Sequence, residues 1–300
     1  MSRDRGVALV LVLAITGVLS LLILQIGLSA RQQVAQAQSL LDRSEAALRL
    51  HSREAALLYS LLTRAKSTTV QSDPAALAGD NPYAGVWNFR GDPFKIDGAV
   101  VRLQDMSGLL PTPTGNSISR DFRDFAALLV ALGTDEGQAE QASRALQQSL
   151  STTPASSLQS FKELPLITGL SIDVAERLED YMTLYPTGVI NPGTAPLPVL
   201  AVKYGGSALE GLMALRSEGS LDSGRLVAIT GESIDDMTTT FDVGPGYRLD
   251  LTVAFRGVRL RRESVWTVRP ANQANPLELW SYRDRDPVDP ISSSSVGSQR

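Results

Sequence analysis

The side chains that usually carry chemistry are sparse in this chain, and their spacing points away from catalysis. No cysteine and only one histidine occur among 300 residues, which removes disulfides, thiolate metal sites and cysteine nucleophiles. Any Ser-His-Asp relay would have to use His51, yet that residue lies in the Leu/Ala-rich run LRLHSREAALL, where a place on a helix surface is the simpler reading. No P-loop, G-x-G-x-x-G, H-E-x-x-H or G-x-S-x-G is present. Nor is there a D-x-D-x-D run that would cluster oxygen ligands on calcium; Asp235-Asp236 and the stretch from Asp284 to Asp289 read as solvated loop charge.

One segment has a form that can bind phosphate. Glu163-Leu164-Pro165-Leu166-Ile167-Thr168-Gly169-Leu170, followed by Asp173-Val174-Ala175, is similar to a helix-hairpin-helix, whose Gly-rich turn offers backbone amides to an anion. Here Ser171 stands in place of the second Gly, and the next helix carries Asp173, Glu176, Glu179 and Asp180 against Arg177 alone. Phosphate recognition needs Lys and Arg, and a net charge of -4 with pI near 5.2 adds a repulsive field. The hairpin is therefore read as a packing element, with no nucleic-acid partner expected.

The elements around these residues begin with an apolar run. From Val7 to Ala30 no residue is charged, and a helix of that length reaches roughly 36 Å at ~1.5 Å per residue, enough to cross a bilayer. A cleaved secretory signal would have a shorter apolar region and small residues at its cleavage site, a pattern that Leu28-Ser29-Ala30 spoils. Arg3 and Arg5 precede the run and favour a cytoplasmic N-terminus. The expectation is a single-pass inner-membrane protein with its C-terminal part in the periplasm. The sequence RQQVAQAQSLLDRSEAALRLHSREAALLYSLLTRA then continues without Pro or Gly and repeats Val34, Leu41, Leu48, Ala55 and Leu62 every seven residues. One spine helix is predicted to about Ala65, its stripe facing neighbouring subunits or covering a sheet.

Beyond a polar connection from Ser67 to Pro82, β-like runs occur at Val86 to Phe89 and Gly98 to Leu103. Helical patterns follow at Asp121 to Leu150, broken at Gly133-Thr134, and at Leu158 to Tyr185. Tyr247 to Phe255 alternates apolar and polar residues, the period of a half-buried strand, and Arg256-Gly257 suits a hairpin turn into Val258 to Arg269. The basic residues of that second strand are expected to face solvent on an exposed strand. Past Pro270 the chain reads as a disordered tail, apart from a contact by Trp280.

The most specific signals are resemblances. Arg5-Gly6-Val7-Ala8-Leu9 is similar to the site cut and N-methylated by a prepilin peptidase, which implies cleavage between Gly6 and Val7 and methylation of Val7. At the fifth position after that cut most prepilin-like proteins carry Glu, whereas this chain has Leu11; the K-type (GspK-like) minor pseudopilins of the type II secretion system characteristically lack that Glu. Val189-Ile190-Asn191-Pro192-Gly193-Thr194-Ala195 with Val199-Leu200 resembles that family's I-N-x-N-T-A…V-L signature, carried here by Asn191, Thr194 and Ala195. Arg102 to Leu110 resembles the strand and D-x-x-G lead-in to the family's helical insert, and Ala214 to Gly219 and Phe241 to Leu251 its return to the sheet. The chain departs from the family at Pro192-Gly193, at Pro111 to Thr114, and at Leu146 to Leu150, where an acidic D-W-x-D-x-D segment is expected.

The resemblance implies an α+β pseudopilin fold: a long N-terminal transmembrane helix, a small antiparallel sheet and a large inserted α-helical domain of the SAM or helix-hairpin-helix kind. The implied division is a leader over 1–6, a transmembrane helix over 7–30 and a periplasmic spine over 31–66. The α/β domain would take 67–108 and 225–270, the insert 109–224, and the tail 271–300. It further implies a non-enzymatic role at the tip of a periplasmic pseudopilus that supports protein export. The partners would be I-like and J-like minor pseudopilins, with an H-like one a further candidate, besides the prepilin peptidase and the inner-membrane assembly platform. Family members can bind calcium, but the acidic loop is missing, so no cofactor is expected. Two rival readings are a minor pilin of a type IV pilus and a membrane-anchored DNA-uptake receptor.

Overall fold

The computed structural model describes residues 3–64, 66, 87–151, 157–185, 187–231, 238–272 and 274–285, with backbone alone for 3–11. The protein is α+β. Helix α1 (Arg3–Thr63) is one continuous rod of 61 residues, and it holds a stretch long and apolar enough to cross a membrane. Every side chain from 12 to 41 is exposed, so this half of the rod packs on nothing else among the described residues. The second half buries Ala46, Leu50, Leu57 and Leu61 against a sheet. Steps of four and seven residues place these side chains on one helix face.

That buried face is not the one the seven-residue repeat marks. Val34, Leu41 and Leu48 are 71%, 65% and 66% exposed and Ala55 is exposed too, so the repeat runs along the side of α1 turned away from the domain until Leu62, which is half-buried against the sheet core. The helix also ends at Thr63; Ala65 is outside the described residues.

The sheet has the order β1-β2-β5-β6-β7, antiparallel throughout. Its strands are β1 (Phe94–Ile96), β2 (Ala99–Asp105), β5 (Gly246–Phe255), β6 (Val258–Val268) and β7 (Leu277–Arg285). On β5, Tyr247, Leu249, Leu251 and Val253 point to α1 and share its core with Val101 and Leu103 of β2. Arg256 and Gly257 close the β5–β6 hairpin at φ 45° and 83°, the left-handed pair that matches strand twist. β2 and β5 are hydrogen-bonded neighbours, Asp105 opposite Tyr247, yet residues 106–245 lie between them.

That intervening chain forms a second core. The helices α2 (Ser119–Ala131), α3 (Glu136–Ser151), α4 (Leu164–Thr168), α5 (Ile172–Leu178), α6 (Leu197–Tyr204), α7 (Gly206–Ser217) and α8 (Ser223–Thr230) pack with a two-stranded parallel ladder, β3 (Leu110–Pro111) on β4 (Met182–Thr183). Phe122, Phe125, Leu128 and Leu129 of α2 meet Ala139, Ala142 and Leu146 of α3 in its centre. Asp135 starts α3 by accepting the Gly137 and Gln138 amides.

Several expectations are corrected by these elements. Residues 87–89 form no strand; Phe89 takes φ 53°, which breaks the extended run, and the Asn88 side chain accepts the Arg90 amide in a local turn. Trp87 and Phe89 still enter the α1–sheet core, edge to face at 5.5 Å. The tail from 271 is not disordered over its first part, since β7 pairs with β6 from Leu277 to Arg285; residues 286–300 fall outside the described residues. β6 is consequently an inner strand, and its Arg261 and Arg262 are ion-paired and mostly buried instead of solvent-facing. Residues 225–230 belong to α8, whose Leu226 is buried in the helical core, so the boundary drawn at 225 falls inside that helix.

Candidate functional site

Asp105 ends β2 fully buried, and two distant segments join the adjoining turn in converging on its carboxylate. Oδ1 accepts the Ser107 amide at 3.0 Å. Oδ2 accepts the hydroxyls of Ser107 at 2.6 Å and Thr194 at 2.9 Å, the Asn191 side-chain amide at 3.3 Å and the Gly244 amide at 3.4 Å. Burial pushes the Asp105 carboxyl above the usual carboxylate range, and the donors from Ser107, Thr194 and Gly244 oppose that push.

The surrounding bonds make this a junction between the two cores. The Asn191 amide donates to the Ser107 carbonyl at 2.7 Å, and its side chain spans Asp242 and Gly193. Gln104 donates to the Thr194 carbonyl, and Arg90 to that of Gly193. Gly108 lies so close to Thr194 that an added Cβ would sit 2.7 Å from its carbonyl carbon, which explains a glycine here without any need for unusual φ. Ala195, fully buried in the helical core, accepts Arg216 through its carbonyl.

The three stretches singled out in the sequence, around 105–108, 191–195 and 241–251, therefore meet at one point. Asn191 and Thr194 face the shared carboxylate. Asp105, Ser107 and Gly244 were not candidate site residues; the D-x-x-G spacing and the F-D-V-G-P-G run were their only signals. Chemically this is a lock, since donors from separate segments surround one fully buried acceptor.

A second connection joins the helical layer to the sheet edge. Glu179, at the end of α5, accepts Arg283 at 2.7 Å and also Arg285, both on β7. Glu263 of β6 pairs with the same two arginines at 3.2 and 2.7 Å, while Arg248 of β5 donates to the Glu179 and Met182 carbonyls. Burial works upward on Glu263, but the Arg283 hydrogen bond and the Arg285, Arg283 and Arg248 charges hold it below the ordinary value. Trp280 of β7 meets Tyr185 edge to face at 4.8 Å.

The helix-hairpin-helix stretch forms α4 and α5, with Gly169 at φ 73° closing α4 and Ser171 capping α5 through Val174. The serine hydroxyl is thus used on its own helix, and Glu179 of that hairpin is bound to β7. His51 is exposed on α1. Gly6, Val7 and Leu11 lie on the α1 backbone, with their side chains outside the described residues; Asp235, Asp236 and the residues from 286 on are likewise outside. Among the described residues, no group of three or more His, Asp or Glu is placed to hold a metal ion.

No family model matches the chain, and no curated protein matches it. Among solved structures, the fold is similar to a chain of the crystal structure of the GspK-GspI-GspJ complex from the type 2 secretion system of enterotoxigenic Escherichia coli. The match covers 84% of this chain and 100% of that chain, with 12% identity and a TM-score of 0.50. What the two share at that identity is the fold.

Proposed function

We propose that this protein is a K-type minor pseudopilin, anchored in the inner membrane by the first half of α1 and placed at the tip of a type II secretion pseudopilus, where it supports export of folded proteins. The observation that carries the reading is architectural: a helical layer inserted between the neighbouring strands β2 and β5, on a sheet packed against a long apolar-ended helix. Its fold likeness spans the whole of a chain from a minor pseudopilin assembly. The Asn191, Thr194 and Ala195 signature adds support, because these residues occupy the junction that holds the insert.

In this reading the protein assembles and does not catalyse. The bare half of α1 and its outward stripe of Val34, Leu41 and Leu48 would pack against I-like and J-like minor pseudopilins, with the bulky helical layer capping the filament. Co-expression of the full chain with the candidate I-like and J-like partners, extraction in mild detergent and affinity capture through this chain tests the proposal. Stoichiometric co-purification is expected. Recovery of this chain alone, under conditions where the two partners associate with each other, would reject it.

A further inference from the structure

A cavity of ≈ 410 Å³ lies between the sheet face opposite α1 and the helical layer. Its floor is β2 and β5, through Arg102, Gln104, Arg248 and Asp250; one wall is Pro196, Leu197, Pro198 and Met213. Four arginines reach it, and two features set its charge. Arg248 is already spent on the Glu179 and Met182 carbonyls and is charge-paired with Glu263 at 3.9 Å, and Asp250 is held by both Nε and a terminal nitrogen of Arg261, whereas Arg90 and Arg216 each give only one nitrogen to a backbone carbonyl. That leaves Arg90, Arg102 and Arg216 with Asp92 and Asp180 to determine what the cavity takes.

Arg216 is the informative residue. It is 8% exposed, one terminal nitrogen donates to the Ala195 carbonyl at 2.8 Å, and its Nε is buried with no hydrogen-bond partner among the described residues. A buried, partly unsatisfied guanidinium costs free energy unless something else answers it. Burial, with the Arg90 charge second, pulls Arg216 down to about 10, so two like charges face one space. Asp92 offsets part of this.

We infer that this cavity binds a carboxylate group carried on a short apolar stem, the carboxylate lying among Arg90, Arg102 and Arg216 and the stem against Leu197 and Met213. Arginine matches the planar carboxylate with paired donors. A phosphate dianion fits less well, because Asp92 and Asp180 also line the space and would repel a second negative charge. The volume also exceeds what one inorganic ion fills and lies within the range of small-molecule sites, about 300–1,000 Å³. The stem distinguishes this site from a simple surface anion site: Pro196, Pro198 and Met213 give it an apolar wall to lie on. This goes beyond the assembly role and does not depend on it.

The test is thermal unfolding of the full chain in nonionic detergent at constant ionic strength. The probes are sodium butyrate, butyramide, inorganic phosphate, and the capped dipeptide acetyl-Gly-Leu as free acid and as amide. A saturable rise in Tm of about 3 °C is expected with butyrate or the free-acid peptide and none with either amide. A rise with both acids means that any carboxylate on an apolar stem suffices; a rise with the peptide alone identifies a polypeptide as the source. Arg216→Met should abolish the effect. Arg102→Gln, on an exposed strand position, should weaken it about tenfold and serves if Arg216→Met does not fold. Equal responses to acid and amide, a response to phosphate only, or full response in Arg102→Gln would overturn the assignment.

Discussion

Thr194 donates its hydroxyl to Asp105 at 2.9 Å across 89 positions of sequence, and the same threonine presses its carbonyl against Gly108. One residue of the helical layer thus fixes both the end of β2 and the turn that leaves it.

Gly108→Ala should be among the most damaging small changes in the chain. The new Cβ would meet backbone atoms of Thr194 at 2.7 Å, and backbone cannot rotate away as a side chain can. A loss of about 2–4 kcal/mol is expected. Urea unfolding of the purified protein measures it, and a loss below about 0.5 kcal/mol would show that the two segments separate easily.

The buried Asp105 carboxyl gives a pH signature. Its folded-state value is raised above the ordinary 3.8 by burial, so the folded state holds the proton more tightly. The associated stability is fully present below pH 3.8 and declines as pH rises through the folded value. Asp105→Asn removes the titration. The stability difference between wild type and variant should therefore fall from pH 4 to pH 7 in wild type's disfavour. A difference that grows with pH would mean that the donors around Oδ2 outweigh burial.

Glu179→Gln should loosen β7. Arg283 and Arg285 are partly exposed, 44% and 31% by side chain, so screening limits the loss to about 1 kcal/mol. Hydrogen exchange is the sharper readout: amides from Trp280 to Arg285 should exchange several-fold faster while those of β5 stay protected. Uniform exchange across both strands would refute the local role.

Leu11→Glu tests the tip placement. One acidic residue in the apolar run adds about 2.5–3.5 kcal/mol on insertion scales, which the surrounding Leu, Ile and Val offset, so membrane level and cleavage after Gly6 should stay normal. Partner recovery and secretion should drop. Gly6→Leu, by contrast, should block cleavage, read as an intact N-terminus by mass spectrometry. Unchanged secretion in Leu11→Glu would remove the tip argument.

Stability should not depend on calcium, since the expected acidic loop is replaced by Leu146 to Leu150 within α3. Melting in excess chelator should match melting in millimolar calcium. A specific, calcium-restored drop of several degrees would disprove this.

The α2–α3 break and the β5–β6 hairpin were legible because burial follows local periodicity there. Tyr247, Leu249, Leu251 and Val253 alternate in sequence and in burial alike. Strand β7 was not legible, because its side chains are exposed on both faces, including Leu279, Trp280 and Tyr282. Its place is set by ion pairs to Glu179 and Glu263, which no period records. On α1 the helix was legible but its buried face was not: Leu and Ala occur around much of the rod, and only the sheet selects Leu50, Leu57 and Leu61. At the junction, Asn191 and Thr194 stood out by resemblance, whereas their acceptor Asp105 is one aspartate among many until the chain is folded.

The two ends of the helical layer leave and rejoin the sheet at adjacent strands, tied at Asp105 and Gly244. A segment so attached behaves as a cassette. Its length and content can change without altering the register of β2 on β5, provided that the ends can still reach one carboxylate. Grafting a different small domain between positions 108 and 244 would keep the pairing of β2 on β5 under a new head, while β7 would lose its Glu179 partner and rest on Glu263, which makes this connection the natural place for evolution, or an engineer, to exchange what the molecule presents.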